Sequence, residues 1–172
     1  MRRAMAARRR ALDPQIKQEM DALIGARLVD WWRAHPVAAL AVYWPLRGEP
    51  DLLPAYAELE RLGARLALPV VVERDAPLAF ADWQVGEDMV KDSMGVAVPV
   101  RARMVNRPPA VVIPCLGYTA AGYRLGYGGG YYDRTLALAP RPLTVGVAYA
   151  CTLTDFPADA HDVALDVILT EA

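Results

Sequence analysis

Arg124-Leu125-Gly126-Tyr127-Gly128-Gly129-Gly130-Tyr131-Tyr132-Asp133-Arg134 follows closely on the apolar run Ala110-Val111-Val112-Ile113-Pro114, and together the two stretches decide the fold. The apolar run reads as a strand buried on both faces. The glycine segment then lies beyond that strand's carboxyl end, where open α/β sheets gather ligands. Four of its eleven residues are glycine. Glycine lets main-chain N–H groups turn toward a ligand with no side chain in the way. Successive N–H groups arranged so form an anion-holding concavity. The flanking arginines add forked donors suited to phosphate. The segment therefore reads as a phosphate cradle, with Asp133 placed to hold the magnesium that travels with a nucleotide. The bland alternative is a tightly turned connector. A P-loop is excluded because it needs Gly-Lys-Ser/Thr, and Gly130 is followed by Tyr131. A dinucleotide fingerprint fails at the same tyrosine, which occupies its third glycine position.

Working outward, Asp13-Pro14 has the form of a helix start, a capping acid followed by proline at the first helical position. Ile16, Met20, Leu23, Ile24, Leu28 and Trp31 recur at helical spacing, so a helix is predicted over 14–34. A separate short helix is expected over 2–12, where Arg3 and Arg10 share one face and Arg2 and Arg9 another. Ala38 to Trp44 reads as a buried strand, followed by a loop from Pro45 to Gly48 and a helix opened by Glu49 and Asp51 and ended by Gly63. Leu66 to Val72 is a second buried strand, and Leu78 to Val85 a strand of an edge hairpin. Gly86 to Pro109 reads as mostly loop. After the glycine segment come a helix to about Leu138, a strand over Leu143 to Tyr149 and a last strand within Val163 to Leu169. This alternation predicts one α/β domain over residues 1–172, a Rossmann-like three-layer α/β/α sandwich with a largely parallel, mixed-edge sheet.

Bulk properties narrow the function classes. A chain of 172 residues buries enough surface to fold without disulfides. Its formal net charge of −1 argues against a nucleic-acid partner. No run of about 18 apolar residues suggests a membrane span. The arginine-rich start lacks the apolar core of a secretory signal, leaving a transit peptide as the minor alternative. Cys115 and Cys151 are expected to be reduced and buried in apolar surroundings. His35 and His161 have no zinc-like spacing with them.

The run from Val111 to Arg134 resembles the signature of the 5-formyltetrahydrofolate cyclo-ligases, and the similarity extends to the basic first helix, Tyr43 to Glu49, and His161-Asp162. The resemblance implies a three-layer α/β/α enzyme that uses ATP and Mg²⁺ to cyclise 5-formyltetrahydrofolate to 5,10-methenyltetrahydrofolate. It implies that Arg124, Leu125, Gly126, Tyr127, Gly128, Gly129, Gly130, Tyr131 and Tyr132 wrap the ATP phosphates. Arg124, Tyr131 and Asp133 would be catalytic, and Asp133 and Asp162 would be the magnesium-binding acids. Glu49 would bond the pterin end of the folate, with Trp44 and Tyr131 nearby. The family's first helix supplies a lysine and, four residues on, an arginine to the nucleotide. The arginine falls at Arg2; the lysine would precede Met1, so either the chain is truncated there or Arg3 substitutes. The family's larger aromatic near Met94 and glutamate near Val98 are also replaced.

Each of these residues has a plainer reading. Asp133 pairs with Arg134 or caps a turn; Asp162 is a loop acid; Glu49 favours its helix start; Trp44 is core; the arginine cluster is a solvated face. The chain is expected to act on small molecules as a cytoplasmic monomer, with no membrane or nucleic-acid partner. The rival to the enzyme reading is a non-catalytic folate or nucleotide binder on the same fold.

Overall fold

In a computed structural model that describes residues 1–46 and 48–172, the helix read from Asp13-Pro14 has the bounds its cap dictates. It spans Pro14–Ala34, after a first helix at Arg2–Arg10; these are α2 and α1. The Asp13 carboxylate accepts from Gln15 N at 3.0 Å and Ile16 N at 3.2 Å, satisfying two donors that a helix start leaves orphaned. β1 (Ala39–Ala41), α3 (Leu53–Arg61) and β2 (Arg65–Val70) follow. α3 begins later than its acids suggested. Pro50 and Asp51 form the approach, and the Asp51 carboxylate accepts from Leu53 N at 3.0 Å. The loop expected over 45–48 includes residue 47, which lies outside the described residues.

The expected loop over 86–109 is a correction. After β3 (Ala79–Trp83) it contains β4 (Met89–Lys91), β5 (Ala97–Pro99) and β6 (Arg103–Val105). β4 and β5 pair around a turn in which the Asp92 carboxylate accepts from Met94 N and Val96 N. β3 pairs antiparallel with β2 and with β6, so the strand expected from Leu78 to Val85 lies in the antiparallel ribbon at that end of the sheet, with β6 outermost. Three-residue strands are too short to show a period. β7 (Ala110–Pro114) has the bounds of its apolar run. A two-residue ribbon, β8 (Gly117–Tyr118) and β9 (Arg124–Leu125), precedes α4 (Tyr131–Leu136), β10 (Leu143–Val147), a 3₁₀ turn at Ala150–Thr152 and β11 (Val167–Leu169).

The main sheet has the order β11-β10-β7-β1-β2-β3-β6. β11, β10, β7, β1 and β2 run parallel, while β3 pairs antiparallel with both β2 and β6. From β1 the chain moves one way to β2 and later returns to place β7 on the other side. The β1/β7 junction is thus the topological switch point, whose carboxyl end is the ligand crevice of such folds.

Alternation along the central strands splits the core into two layers, as a sheet covered on both sides requires. Leu40, Val42, Val112 and Leu66 pack on one side with Ile24 and Leu28 of α2 and Tyr56 and Leu59 of α3. Ala41, Val111, Ile113 and Ala67 face the other way, with Leu136 of α4. Met5 of α1 joins Leu116 and Leu125 in a third cluster. Cys115 is buried, but Cys151 is exposed on the 3₁₀ turn, correcting the expectation that both are buried. Among the described residues no helix is long and apolar enough to cross a membrane.

Candidate active site

Two connections leave the switch point. One follows β1 and carries Trp44 and Glu49. The other follows β7 and carries the β8–β9 ribbon, the glycine segment and α4. Leu116 N donates to Leu125 O at 2.9 Å, and the Leu125 side chain packs with Met5 and Leu116. Leu125 thus anchors the loop base through apolar contacts.

Beyond it the loop turns at Gly128 (φ +99°) and Gly130 (φ +68°), conformations that L side chains resist. The turn directs carbonyl oxygens toward arginines. Arg2 Nε donates to Gly126 O at 2.8 Å, and Arg134 Nη1 to Gly129 O at 2.7 Å. Gly130 O accepts the main-chain N–H of Arg134 at 3.0 Å. Among the described residues, the N–H groups of Gly128, Gly129 and Gly130 donate to no protein acceptor. Carbonyls engaged and amides unspent is the polarity an anion cradle requires.

The two end arginines brace this loop. Arg124 Nη2 donates to Pro114 O at the end of β7 at 3.2 Å, and its guanidinium lies 5.1 Å from the Tyr132 ring centroid. The Arg124 Nε is buried and has no partner among the described residues. Arg134 lies 5.9 Å from the Tyr131 ring centroid. Of the two tyrosines, Tyr132 packs on the α4-side core. Burial pushes its phenol well up, the charges of Glu49 and Cys115 push the same way, and Arg124 opposes them.

Asp133 occupies the first turn of α4. Burial raises its carboxyl and the charge of Asp162 adds to that, while Arg124 and Arg134 pull it down. Asp162 sits in a turn, where its carboxylate accepts Asp159 N at 2.8 Å. The two acids the sequence singled out thus feel one another's charge. Among the described residues no set of three His, Cys, Asp or Glu is placed to hold a metal. Mg²⁺ takes as few as one or two protein carboxylates and completes its octahedron with water and phosphate oxygens, so acids such as these two are the residue type it would use.

Glu49 is 6 % exposed. Its N–H donates to Leu46 O at 2.8 Å, and its carbonyl accepts Lys17 Nζ at 3.2 Å. Its charge acts on both Tyr43 and Tyr132, so the β1 and β7 connections share one electrostatic space. Trp44 is half-buried and meets Trp83 edge-on, ring centroids 6.1 Å apart.

From α1, Arg2 reaches the glycine loop, whereas Arg3 is exposed and makes no hydrogen bond to it among the described residues. Arg9, absent from the sequence-predicted set, is 4 % exposed, donates to the Tyr127 hydroxyl and lies 5.8 Å from that ring's centroid. The helical face shared by Arg2 and Arg9 was the available signal. A separate groove of about 510 Å³ between α2 and α3 is lined by Gln18, Asp21, Gly25, Arg33 and Glu58 and holds none of the sequence-predicted site residues.

Fold and site together define a doubly wound α/β protein with a glycine-rich loop, its Gly128 to Gly130 amides unspent, at the switch point of its sheet. The model of the 5-formyltetrahydrofolate cyclo-ligase family matches residues 1–171, and the chain belongs to that family, a family of ligases. It is 32 % identical over 171 residues to the 5-formyltetrahydrofolate cyclo-ligase of Escherichia coli strain K12, covering 95 % of this chain and 94 % of that one. The solved 5,10-methenyltetrahydrofolate synthetase of Mycoplasma pneumoniae superposes with a TM-score of 0.83 at 28 % identity, covering 99 % of this chain and 96 % of that one. That of Aquifex aeolicus gives 0.85 at 28 %, covering 99 % and 87 %. The family resemblance and the α/β fold read from the sequence are borne out.

Proposed function

We propose that this chain cyclises 5-formyltetrahydrofolate to 5,10-methenyltetrahydrofolate with conversion of ATP to ADP and phosphate, using the β1/β7 crevice. The observation that carries the reading is the run of unspent amides at Gly128, Gly129 and Gly130 on the switch-point loop.

The N5 formyl group is an amide and a poor electrophile, because the nitrogen lone pair is shared with the carbonyl. The formyl oxygen attacks the γ-phosphorus, and the bond to the ADP oxygen breaks. The formyl carbon then carries a phosphate leaving group beside an iminium nitrogen. N10 bonds to that carbon, the C–O bond breaks with its electron pair going to phosphate, and N10 releases its proton to solvent. Both nucleophiles belong to the substrate, so no protein nucleophile is needed. That agrees with Cys115, whose thiol is pushed up to about 11 by burial, against the pull of Arg124, and stays protonated at neutral pH.

What this chain supplies is alignment and charge, the main demands of phosphoryl transfer. In this reading the amides of Gly126 to Gly130, with Arg2 and Arg3, hold the phosphates. Arg124 and Tyr131 border the transferring group, and Tyr127 and Tyr132 wall the loop. Glu49 and Trp44 receive the pterin end. Asp133 and Asp162 would hold Mg²⁺, which when bound neutralises phosphate charge. Mixing the protein with MgATP and 5-formyltetrahydrofolate should raise the near-ultraviolet absorbance of the methenyl product. Tight folate binding by calorimetry with no ATP-dependent product would instead make the chain a non-catalytic binder.

A further inference from the structure

A buried polar chain runs from α2 to the back of Glu49. Tyr149 is fully buried just past β10, and its hydroxyl donates to Asp21 Oδ1 at 2.5 Å. Asp21 is 7 % exposed. Its other oxygen, Oδ2, accepts Lys17 Nζ at 2.8 Å, one helical turn away. Lys17 Nζ also donates to the main-chain carbonyl of Glu49 at 3.2 Å and lies 5.8 Å from the Tyr149 ring centroid. Burying a carboxylate and bringing an ammonium against it is costly unless the pair is well bonded, and replacing such a set with apolar groups is often neutral for stability. The presence of such a network is therefore weak evidence, by itself, of a role in stability.

What it does accomplish is placement. The turn carrying Glu49 is pinned at three successive main-chain points. Glu49 N donates to Leu46 O at 2.8 Å, Glu49 O accepts Lys17, and Pro50 O accepts the Tyr43 hydroxyl at 2.7 Å. Lys17 is the one side chain of α2 in this set, and Asp21 and Tyr149 fix where its ammonium sits.

We infer that Lys17, held by Asp21 and Tyr149, is a positioning residue that sets the Glu49 carboxylate for the folate. The inference rests on the reading that Glu49 meets the pterin end. Lys17 touches neither substrate in it; it acts through the Glu49 peptide. Its loss should then show in folate affinity and spare the nucleotide, because the glycine loop is braced separately by Arg2, Arg124 and Arg134.

The test is steady-state kinetics of Lys17→Met, Lys17→Arg and Glu49→Gln in the intact chain, with circular dichroism to establish folding. Lys17→Met should raise KM for 5-formyltetrahydrofolate by about tenfold, the loss of one charged hydrogen bond, while KM for MgATP stays within about twofold. Lys17→Arg, which keeps a donor and the Asp21 pair, should recover most of it. If Glu49→Gln raises the folate KM and Lys17→Met does not, or if Lys17→Met raises both KM values together, the positioning role is overturned. If Glu49→Gln leaves the folate KM unmoved, the folate assignment of Glu49 falls and takes this inference with it. Should Lys17→Met not fold, Tyr149→Phe provides the same reading. It frees one Asp21 oxygen without removing a charge, and an unchanged folate KM there counts against the network.

Discussion

Gly128→Ala isolates the glycine turn from everything around it. Gly128 has φ +99°, where an L residue is strained by about 1–2 kcal/mol. A Cβ added there would meet nothing nearer than the Arg2 guanidinium at 3.8 Å, an ordinary contact, so the cost is conformational. If the turn must hold that shape to present its amides, the strain falls on the nucleotide-bound state. At about 1.4 kcal/mol per factor of ten, KM for MgATP should rise roughly 5- to 30-fold. Gly63→Ala is the matched control. It has φ +103°, open space around its Cβ, and a place at the end of α3. It should lower the melting temperature by roughly 2–8 °C and leave KM for MgATP unchanged. The measurement is the methenyl absorbance assay with ATP titrated at saturating folate. An ATP KM in Gly128→Ala indistinguishable from that of Gly63→Ala would refute the cradle argument.

Asp133→Asn should cut turnover at least tenfold, as loss of a metal-holding or charge-stabilising group does, while leaving circular dichroism intact; unchanged turnover would remove Asp133 from the chemistry. Stability should move the other way. Burial, with Asp162 adding, raises the Asp133 carboxyl, so the fold favours the protonated form. The associated stabilisation is present below the ordinary aspartate range and is lost as pH rises through the raised value. Relative to Asp133→Asn, the native chain should match it in acid and fall behind toward neutral pH, as read by urea unfolding in the absence of metal. Tyr43→Phe removes the buried hydroxyl that bonds Pro50 O at 2.7 Å and should cost about 1–3 kcal/mol in urea unfolding, the penalty of a stranded buried carbonyl.

The elements legible in the sequence carry their own local instructions. Asp13-Pro14 sets the start of α2 because cap and proline act within one turn. Ala110–Pro114 marks β7 because a strand covered on both faces has only apolar positions. β4, β5 and β6 carried no such mark, since three residues, most of them exposed or half-exposed, obey no period that a longer loop would not also show. At the site, residue types were readable and their orientations were not. Glycines and arginines announce an anion cradle. That Arg134 turns back on Gly129 O and Arg124 down on Pro114 O is decided by the loop's own turns. Arg9, and the Lys17–Asp21–Tyr149 chain with members 128 positions apart, depend on contacts that no local pattern encodes.

The place of β1 in the sheet has a bearing on how the chain is made. Its neighbours β2 and β7 come from opposite sides of it in the sheet order, and its partner Ala110 lies about seventy positions downstream. While the ribosome is still delivering those residues, β1 presents an open row of donors and acceptors, the kind of surface on which nascent chains stick to one another. The crevice is likewise unfinished until β7 slots in. Slow translation between residues 70 and 110 should therefore lower soluble yield more than an equal pause after residue 147.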